Sequence, residues 1–145
     1  MPGRLTILLV EDSAADARLL LTNFEEIHGA EIEVATVRTL SAAFQELQRH
    51  GFDAVLLDLN LPDSEGADTI RRMNEHNPEL PIIVLTGIDD ERTAQEAVHL
   101  GAQDFLVKGE ASPKALLRTL RYAIERKRRS VVTAGLDRKS TRLNS

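Results

Sequence analysis

The chain has 145 residues, of which 42% are hydrophobic and 28% are charged, a composition typical of one soluble globular domain. It contains no cysteine, which excludes disulfides, thiolate metal sites and a cysteine nucleophile. No apolar run approaches the roughly 18 residues of a membrane span, and the N-terminus lacks a signal-peptide pattern. We therefore expect a cytoplasmic protein with no membrane partner.

The net charge of −5 conceals two regions of opposite sign. Residues 1–125 carry 22 acidic and 11 basic side chains, whereas residues 126–145 carry seven basic and one acidic. The acidic body argues against nucleic-acid binding by this domain. Residues 130–145 are rich in Ser, Thr and Arg, and we predict that they are disordered or vector-derived. The predicted domain therefore covers residues 1–129.

Short apolar runs alternate with amphipathic segments five times along the chain. The predicted strands are, in order, residues 5–10, 31–37, 53–58, 81–86 and 104–107. Each is followed by a segment with the i, i+3, i+4 spacing of a one-sided helix. Ser13 with Asp16 is a start signal for the first helix, and Ser112-Pro113 for the last. The alternation predicts an α/β fold, with a doubly wound five-stranded parallel sheet and helices on both faces.

Four of the predicted strands end in a polar residue suited to phosphate chemistry. Glu11-Asp12 and Asp58 supply carboxylates, Thr86 supplies a hydroxyl, and Lys108 supplies an ammonium group. The carboxyl ends of parallel strands meet at one edge of the sheet, where α/β proteins place their ligand sites. The sequence thus predicts that these groups converge.

Two carboxylates ~4–5 Å apart at this edge repel by roughly 3–4 kcal/mol at an effective dielectric of 20, which a protein tolerates only by raising a pKa or by binding a cation. All-oxygen ligands with an open position favour Mg²⁺. Simpler interpretations exist for each residue taken alone. Glu11 and Asp12 could cap the first helix, Thr86 could be structural, and Lys108 could form an ordinary ion pair with Asp58.

The motifs together resemble the receiver domain of two-component response regulators, of the chemotaxis-Y type. They are LLVEDS at 8–13, LLDLNLPDSEG at 56–66, VLTG at 84–87 and GAQDFLVKG at 101–109. The resemblance covers residues 5–128 and implies a flavodoxin-like fold with strand order 2-1-3-4-5. It also implies phosphotransfer from a sensor histidine kinase or a phosphotransfer protein, and a signal to an output domain or downstream protein.

The resemblance implies a role for each matched position. Asp58 is expected to be the phosphoacceptor, and Lys108 and Thr86 to bind the phosphoryl oxygens. Glu11, Asp12, Asp58 and the backbone carbonyl of Asn60 are the expected Mg²⁺ ligands. Thr86 and Phe105 are the expected switch residues, with Phe105 moving inward when Thr86 moves.

Two positions depart from the family pattern. Gly109 follows Lys108 where the family usually has Pro, so we expect a loop that is coupled more weakly to phosphorylation. Phe105 lacks the hydroxyl of the Tyr found in many relatives, so it must switch by packing or else serve as an ordinary core residue.

Two other functions remain open at this point. A phosphatase of the haloacid-dehalogenase type also uses an Asp nucleophile with Mg²⁺, but it needs a second Asp where this chain has Asn60, and a substrate cap. A receiver that no longer accepts phosphate would serve as a docking scaffold. We expect a signalling module rather than an enzyme, and the sequence leaves homodimer formation open. The four His residues are expected at the surface, and lie at 28, 50, 76 and 99.

Overall fold

The structure is a computed structural model that describes residues 4–87, 90–110 and 112–144, with the backbone alone for Glu91 and residues 131–144. Strands and helices alternate along the chain as predicted. The elements are β1 (Arg4–Val10), α1 (Ala14–Glu25), β2 (Glu31–Val37), α2 (Leu40–Arg49), β3 (Ala54–Asp58), α3 (Gly66–His76), β4 (Ile82–Thr86), α4 (Glu91–His99), β5 (Asp104–Val107) and α5 (Pro113–Asn144).

The five strands form one parallel sheet in the order 2-1-3-4-5, which confirms the predicted doubly wound, flavodoxin-like fold. In the register of this sheet Val10 lies opposite Leu57, and Thr86 lies opposite Val107. The strands therefore end almost level at their carboxyl edge. A separate antiparallel pair, Asn60–Leu61 with Ser64–Glu65, follows β3 and turns the chain back toward α3.

Two hydrophobic cores lie on opposite faces of the sheet, because successive side chains of each strand point to opposite sides. Ile7 and Leu9 of β1 pack with buried residues of α1 and α5, whereas Leu8 and Val10 pack with those of α2, α3 and α4. This explains the unbroken apolar runs of β3 and β4, in which every residue is buried. The four His residues are exposed, as predicted, and the ring of His76 stacks on Phe44.

The last helix is longer than the sequence pattern predicted. The prediction that residues 130–145 are disordered or vector-derived stays a prediction; the backbone of α5 continues to Asn144, and only Ser145 of this segment lies outside the described residues. No proline follows Pro113, and the segment contains Leu, Arg, Lys and Ala, which are good helix formers. The domain boundary at residue 129 stays a prediction, and residues 1–3 of that domain lie outside the description.

Among the described residues, no helix is both long and apolar enough to cross a membrane.

Asp63 ties the loop after β3 to the start of α2. Its two carboxylate oxygens each accept a hydrogen bond of 2.9 Å, from the backbone N–H of Leu40 and of Ser41. Partial burial alone would raise the pKa of Asp63, but these hydrogen bonds outweigh that effect and hold the pKa below its ordinary value. The carboxylate thus satisfies two N–H groups that the helix leaves unpaired at its N-terminus.

We predict that Asp63→Ala lowers the free energy of unfolding by about 1 kcal/mol at pH 7, since it removes both acceptors. The folded-state pKa is depressed, so this contribution is present above the unfolded pKa and is lost as the pH falls through the lowered value. Urea denaturation at pH 7 and in acid measures both effects. Glu79→Ala, which removes an exposed carboxylate away from α2, is the control. An equal loss in both variants, or a loss that persists in strong acid, would contradict this role of Asp63.

Candidate functional site

The five polar residues that end the predicted strands lie together at the carboxyl edge of the sheet. Oxygen atoms of Glu11, Asp12 and Asp58, one from each carboxylate, all lie within 4.8 Å of one another. The ammonium of Lys108 contacts two of these residues, and Thr86 lines the same cavity as Asp58 and Lys108. The cavity has a volume of about 470 Å³. It can admit a small anionic group such as a phosphoryl group.

Asp58 lies at the floor of this cavity, with only 8% of the residue exposed. Its Oδ1 accepts a 2.9 Å hydrogen bond from the backbone N–H of Asn60, and its Oδ2 accepts one of 2.9 Å from Lys108 Nζ. Both oxygens are therefore oriented by donors from other elements. A carboxylate held in this way is fixed in position for reaction with a group that enters the cavity.

Lys108 extends from the end of β5 into a cluster of carboxylates. Its Nζ lies 2.6 Å from Glu11 Oε2, 2.9 Å from Asp58 Oδ2 and 3.1 Å from Asp16 Oδ2. The last two contacts are hydrogen bonds, whereas the contact with Glu11 lacks hydrogen-bond alignment and is an ion pair only. Burial alone would lower the pKa of Lys108, but the three carboxylates outweigh it and raise the pKa above its ordinary value.

Glu11 is the most deeply buried charged group of the site, with no exposed side-chain surface. Its Oε1 accepts a 3.0 Å hydrogen bond from the backbone N–H of Ser13. Desolvation raises the pKa of Glu11 from 4.5 to about 7, against the lowering effect of Lys108 and with a further raising effect from Asp58. The nearby ammonium therefore compensates only part of the cost of burying this carboxylate.

Thr86 places a hydroxyl at the wall of the cavity. The residue is 5% exposed, and its Oγ1 has no hydrogen-bond partner among the described residues. The backbone carbonyl of Thr86 accepts a 2.7 Å hydrogen bond from the N–H of Lys108, so β4 and β5 hold the two side chains next to each other. An unpaired buried hydroxyl is costly, and it leaves Thr86 Oγ1 available to donate a hydrogen bond to a group that enters the cavity.

The remaining predicted site residues have different surroundings. Asn60 is exposed and contacts Asp58 through its backbone N–H. Phe105 is half-buried and packs against the core formed with α2, α3 and α4. Gly109 has a φ of 86° in a turn closed by a 3.1 Å hydrogen bond from Glu110 N–H to the carbonyl of Val107. Proline, whose φ is fixed near −65°, cannot adopt that conformation, so the backbone after Lys108 needs glycine here.

Three further residues at the site were not identified from the sequence. Asp16, interpreted only as a helix start signal, contacts Lys108, and Asp90 lines the cavity. Arg38 donates a 3.0 Å hydrogen bond from Nη2 to the backbone carbonyl of Asp12. Asp16 lies in the first turn of a helix that begins at the carboxyl edge of the sheet. This position could have indicated from the sequence that its side chain lies near the site. Nothing in the local sequence indicated the contact made by Arg38.

The donor set fits a hard divalent cation. Three carboxylates meet at one point, and the only ammonium that contacts them in the described part of the chain reaches Glu11 and Asp58 but not Asp12. Counting Asp16, four carboxylates lie at this edge, and among the described side chains only Lys108 forms an ion pair with any of them, since Arg38 reaches the backbone carbonyl of Asp12. Oxygen donors with excess negative charge are the ligands that Mg²⁺ prefers.

Comparisons with known proteins agree with this geometry. Residues 7–121 match the family described as the response regulator receiver domain. The chain is 37% identical over 100 residues to the regulatory protein LuxO of Vibrio cholerae, which covers 69% of this chain and 21% of that protein. It is 34% identical over 114 residues to the swarming motility regulation protein RssB of Serratia marcescens, covering 79% and 51% of the two chains.

A solved structure supports the same assignment. A putative response regulator from Chloroflexus aurantiacus superposes with a TM-score of 0.73 at 26% identity, covering 85% of this chain and 99% of that one. The chain belongs to the response regulator receiver domain family. It is thus a signalling module of two-component systems, with the acidic cluster and the lysine that its fold places at the carboxyl edge. The chain spans about a fifth of the length of LuxO and about half of the length of RssB.

We predict that the stability of the metal-free protein falls as the pH rises from about 5 to about 7.5. Because the folded-state pKa of Glu11 is raised from 4.5 to about 7, the folded state holds this proton more tightly than the unfolded chain does within that window. Urea denaturation in EDTA is expected to show a decrease on the order of 2 kcal/mol that Glu11→Gln lacks. Equal pH profiles for the two proteins would show that Glu11 has no raised pKa.

Proposed function

We propose that this chain is a phosphorylatable receiver in which Asp58 accepts a phosphoryl group from a histidine kinase or phosphotransfer protein. The reaction requires Mg²⁺ and takes place in the cytoplasm. The observation that carries the proposal is Asp58 itself, a nearly buried carboxylate at a cavity floor, oriented by Asn60 and Lys108 beside two further acids. The catalysis is limited to the phosphorylation and dephosphorylation of the chain itself.

The transfer can be written from the residues present. A carboxylate oxygen of Asp58 attacks the phosphorus of a phosphohistidine, a P–O bond forms, and the P–N bond breaks with its electron pair going to the imidazole. Lys108 donates hydrogen bonds to a phosphoryl oxygen, and the unpaired hydroxyl of Thr86 donates to another. Phosphoryl transfer depends mainly on such positioning and charge neutralisation.

The expected Mg²⁺ ligands are Glu11, Asp12, Asp58 and the backbone carbonyl of Asn60. Mg²⁺, when bound, supplies the positive charge that lets a phosphoryl group approach these carboxylates. Lys108 alone contacts three carboxylates, so its single charge leaves the site strongly negative. This imbalance supports the requirement for a divalent cation.

A phosphatase of the haloacid-dehalogenase type is less consistent with the site. Such an enzyme needs an acid two residues after the nucleophile to protonate the leaving group. Asn60 occupies that position, and it contacts Asp58 through its backbone N–H rather than through a side chain that could carry a proton. Transfer to Asp58 as a signal therefore accounts for the geometry better than turnover of phosphate esters.

The output of the domain is proposed as a change in the loops that follow β4 and β5. Thr86 ends β4 and Lys108 directly follows β5, and a phosphoryl group that draws both toward Asp58 would displace the loops together. Phe105 lies three residues before Lys108 and is half-buried against the core that contains α2, α3 and α4, and we propose that it moves inward when Thr86 moves. A conformational change at this face would be recognised by an output domain, a downstream protein or a second copy of the chain, with no nucleic-acid contact by this domain.

We predict that acetyl phosphate with Mg²⁺ adds the mass of one phosphoryl group to the intact protein. The adduct should be absent in Asp58→Asn and absent in EDTA, because the first removes the nucleophile and the second removes the required cation. Asp53→Asn, at the other end of β3, is the matched control and should react normally. Intact-mass spectrometry makes the measurement. An adduct that survives in Asp58→Asn would place the modification elsewhere, and no adduct on the wild type would favour the docking scaffold.

We predict that Thr86→Val still accepts a phosphoryl group but loses most of the conformational response. The substitution keeps the shape of the side chain and removes the unpaired hydroxyl, so it should also be neutral or stabilising by about 1 kcal/mol. Amide chemical shifts of residues 104–110 with and without acetyl phosphate report the response, and Thr86→Ser, which retains the hydroxyl, should preserve it. Shifts in Thr86→Val as large as those in the wild type would exclude Thr86 as the switch.

A further inference from the structure

We propose that Asp16 is a positioning residue that draws the ammonium of Lys108 away from the cavity floor and toward the mouth, where a phosphoryl group enters. The proposal rests on the proposed phosphorylation of Asp58. Its basis is the 3.1 Å hydrogen bond from Lys108 Nζ to Asp16 Oδ2.

The three carboxylates around Lys108 lie at different depths. The side chain of Glu11 has no exposed surface and that of Asp58 has 11%, whereas that of Asp16 has 35%. Glu11 and Asp58 therefore attract the ammonium toward the floor, and Asp16 attracts it outward. The Lys108 side chain is 19% exposed, a value between those of the two deeper carboxylates and that of Asp16.

The first turn of α1 fixes the position of Asp16. Ser13 is the N-cap of the helix, and its Oγ accepts a 3.3 Å hydrogen bond from the backbone N–H of Asp16. This anchor uses the backbone of Asp16 and leaves its carboxylate available to Lys108. An acidic side chain in the first turn is also favoured by the helix dipole, so the position suits Asp for a local reason as well.

Removal of the outward contact would change where the ammonium rests. With Glu11 and Asp58 as its remaining partners, Lys108 would settle deeper, onto the carboxylates that are expected to bind Mg²⁺. An entering phosphoryl group would then meet the ammonium later on its path. A group misplaced by a fraction of its contact distance loses much of its contribution to transfer.

The negative charge of Asp16 would change the phosphorylation rate in the opposite direction from its contact with Lys108, so the two roles can be distinguished by experiment. A carboxylate at the mouth repels an anionic phosphoryl donor, so if Asp16 acted through its charge alone, neutralising it would accelerate phosphorylation. If Asp16 acts by positioning Lys108, neutralising it slows phosphorylation. The two roles predict opposite signs.

The test compares Asp16→Asn with Asp90→Asn, in the full chain with acetyl phosphate and Mg²⁺. Asp90 lines the same cavity but forms none of the described hydrogen bonds or ion pairs with Lys108, so Asp90→Asn removes an equal charge without removing the contact. We expect Asp16→Asn to lower the rate of mass gain by about fivefold to tenfold. Asp90→Asn should raise the rate, and Asp16→Glu, which keeps a carboxylate, should restore part of the loss.

A second measurement follows the ammonium directly in the absence of any phosphoryl donor. The ¹⁵N resonance of Lys108 Nζ should shift in Asp16→Asn and remain at its wild-type position in Asp90→Asn. A rate in Asp16→Asn equal to or above that of the wild type, or an unmoved Lys108 resonance, would overturn the proposal. If the wild type itself gains no phosphoryl group, the proposed function fails instead, and the resonance still tests the contact.

Discussion

The site depends on one ammonium group that is shared by three carboxylates. Lys108 follows β5, Glu11 follows β1, Asp58 ends β3 and Asp16 lies in α1, so a single charge links four elements at the carboxyl edge. Such a partly buried cluster contributes little net stability, because the attraction must first offset the cost of removing the charges from water. What it provides is a fixed geometry, since each carboxylate is oriented toward the same point. The edge of the sheet is therefore organised around a centre that remains negatively charged.

This electrostatic imbalance has a structural consequence. The raised pKa of Glu11 and the unpaired hydroxyl of Thr86 are both costs that the folded chain carries without a ligand. Under the proposed function both costs would be reduced by the binding of a cation and a phosphoryl group, since the cation would compensate the charge of Glu11 and the phosphoryl group would accept a hydrogen bond from Thr86. A site that carries such costs can change conformation when a ligand binds and removes them. A site whose polar groups were already paired would only become more stable.

The sequence predicted the fold and the convergence of five polar residues because both follow from a general rule, that parallel strands bring their carboxyl ends to one edge. Glu11, Asp58, Thr86 and Lys108 could be placed together without knowledge of any side-chain conformation. Arg38 and Asp63 could not, because their contacts cross between elements and depend on the distance and tilt of helices relative to the sheet. The sequence placed Asp16 near this edge but did not indicate its contact with Lys108. The length of α5 was not predicted for a related reason, since a helical backbone can continue where no apolar face requires it.

The two layers of helices contact the site through different side chains. The core that contains α1 and α5 lies on one face of the sheet, and the core that contains α2, α3 and α4 lies on the other. Through Asp16, Lys108 connects the site with α1, while Thr86 ends the strand that leads to α4. The turn at Gly109, with its positive φ, then directs the chain from Lys108 into α5. Under the proposed function, a phosphoryl group bound by both side chains would therefore act on both layers at once, and either face of the domain could present the change to a partner.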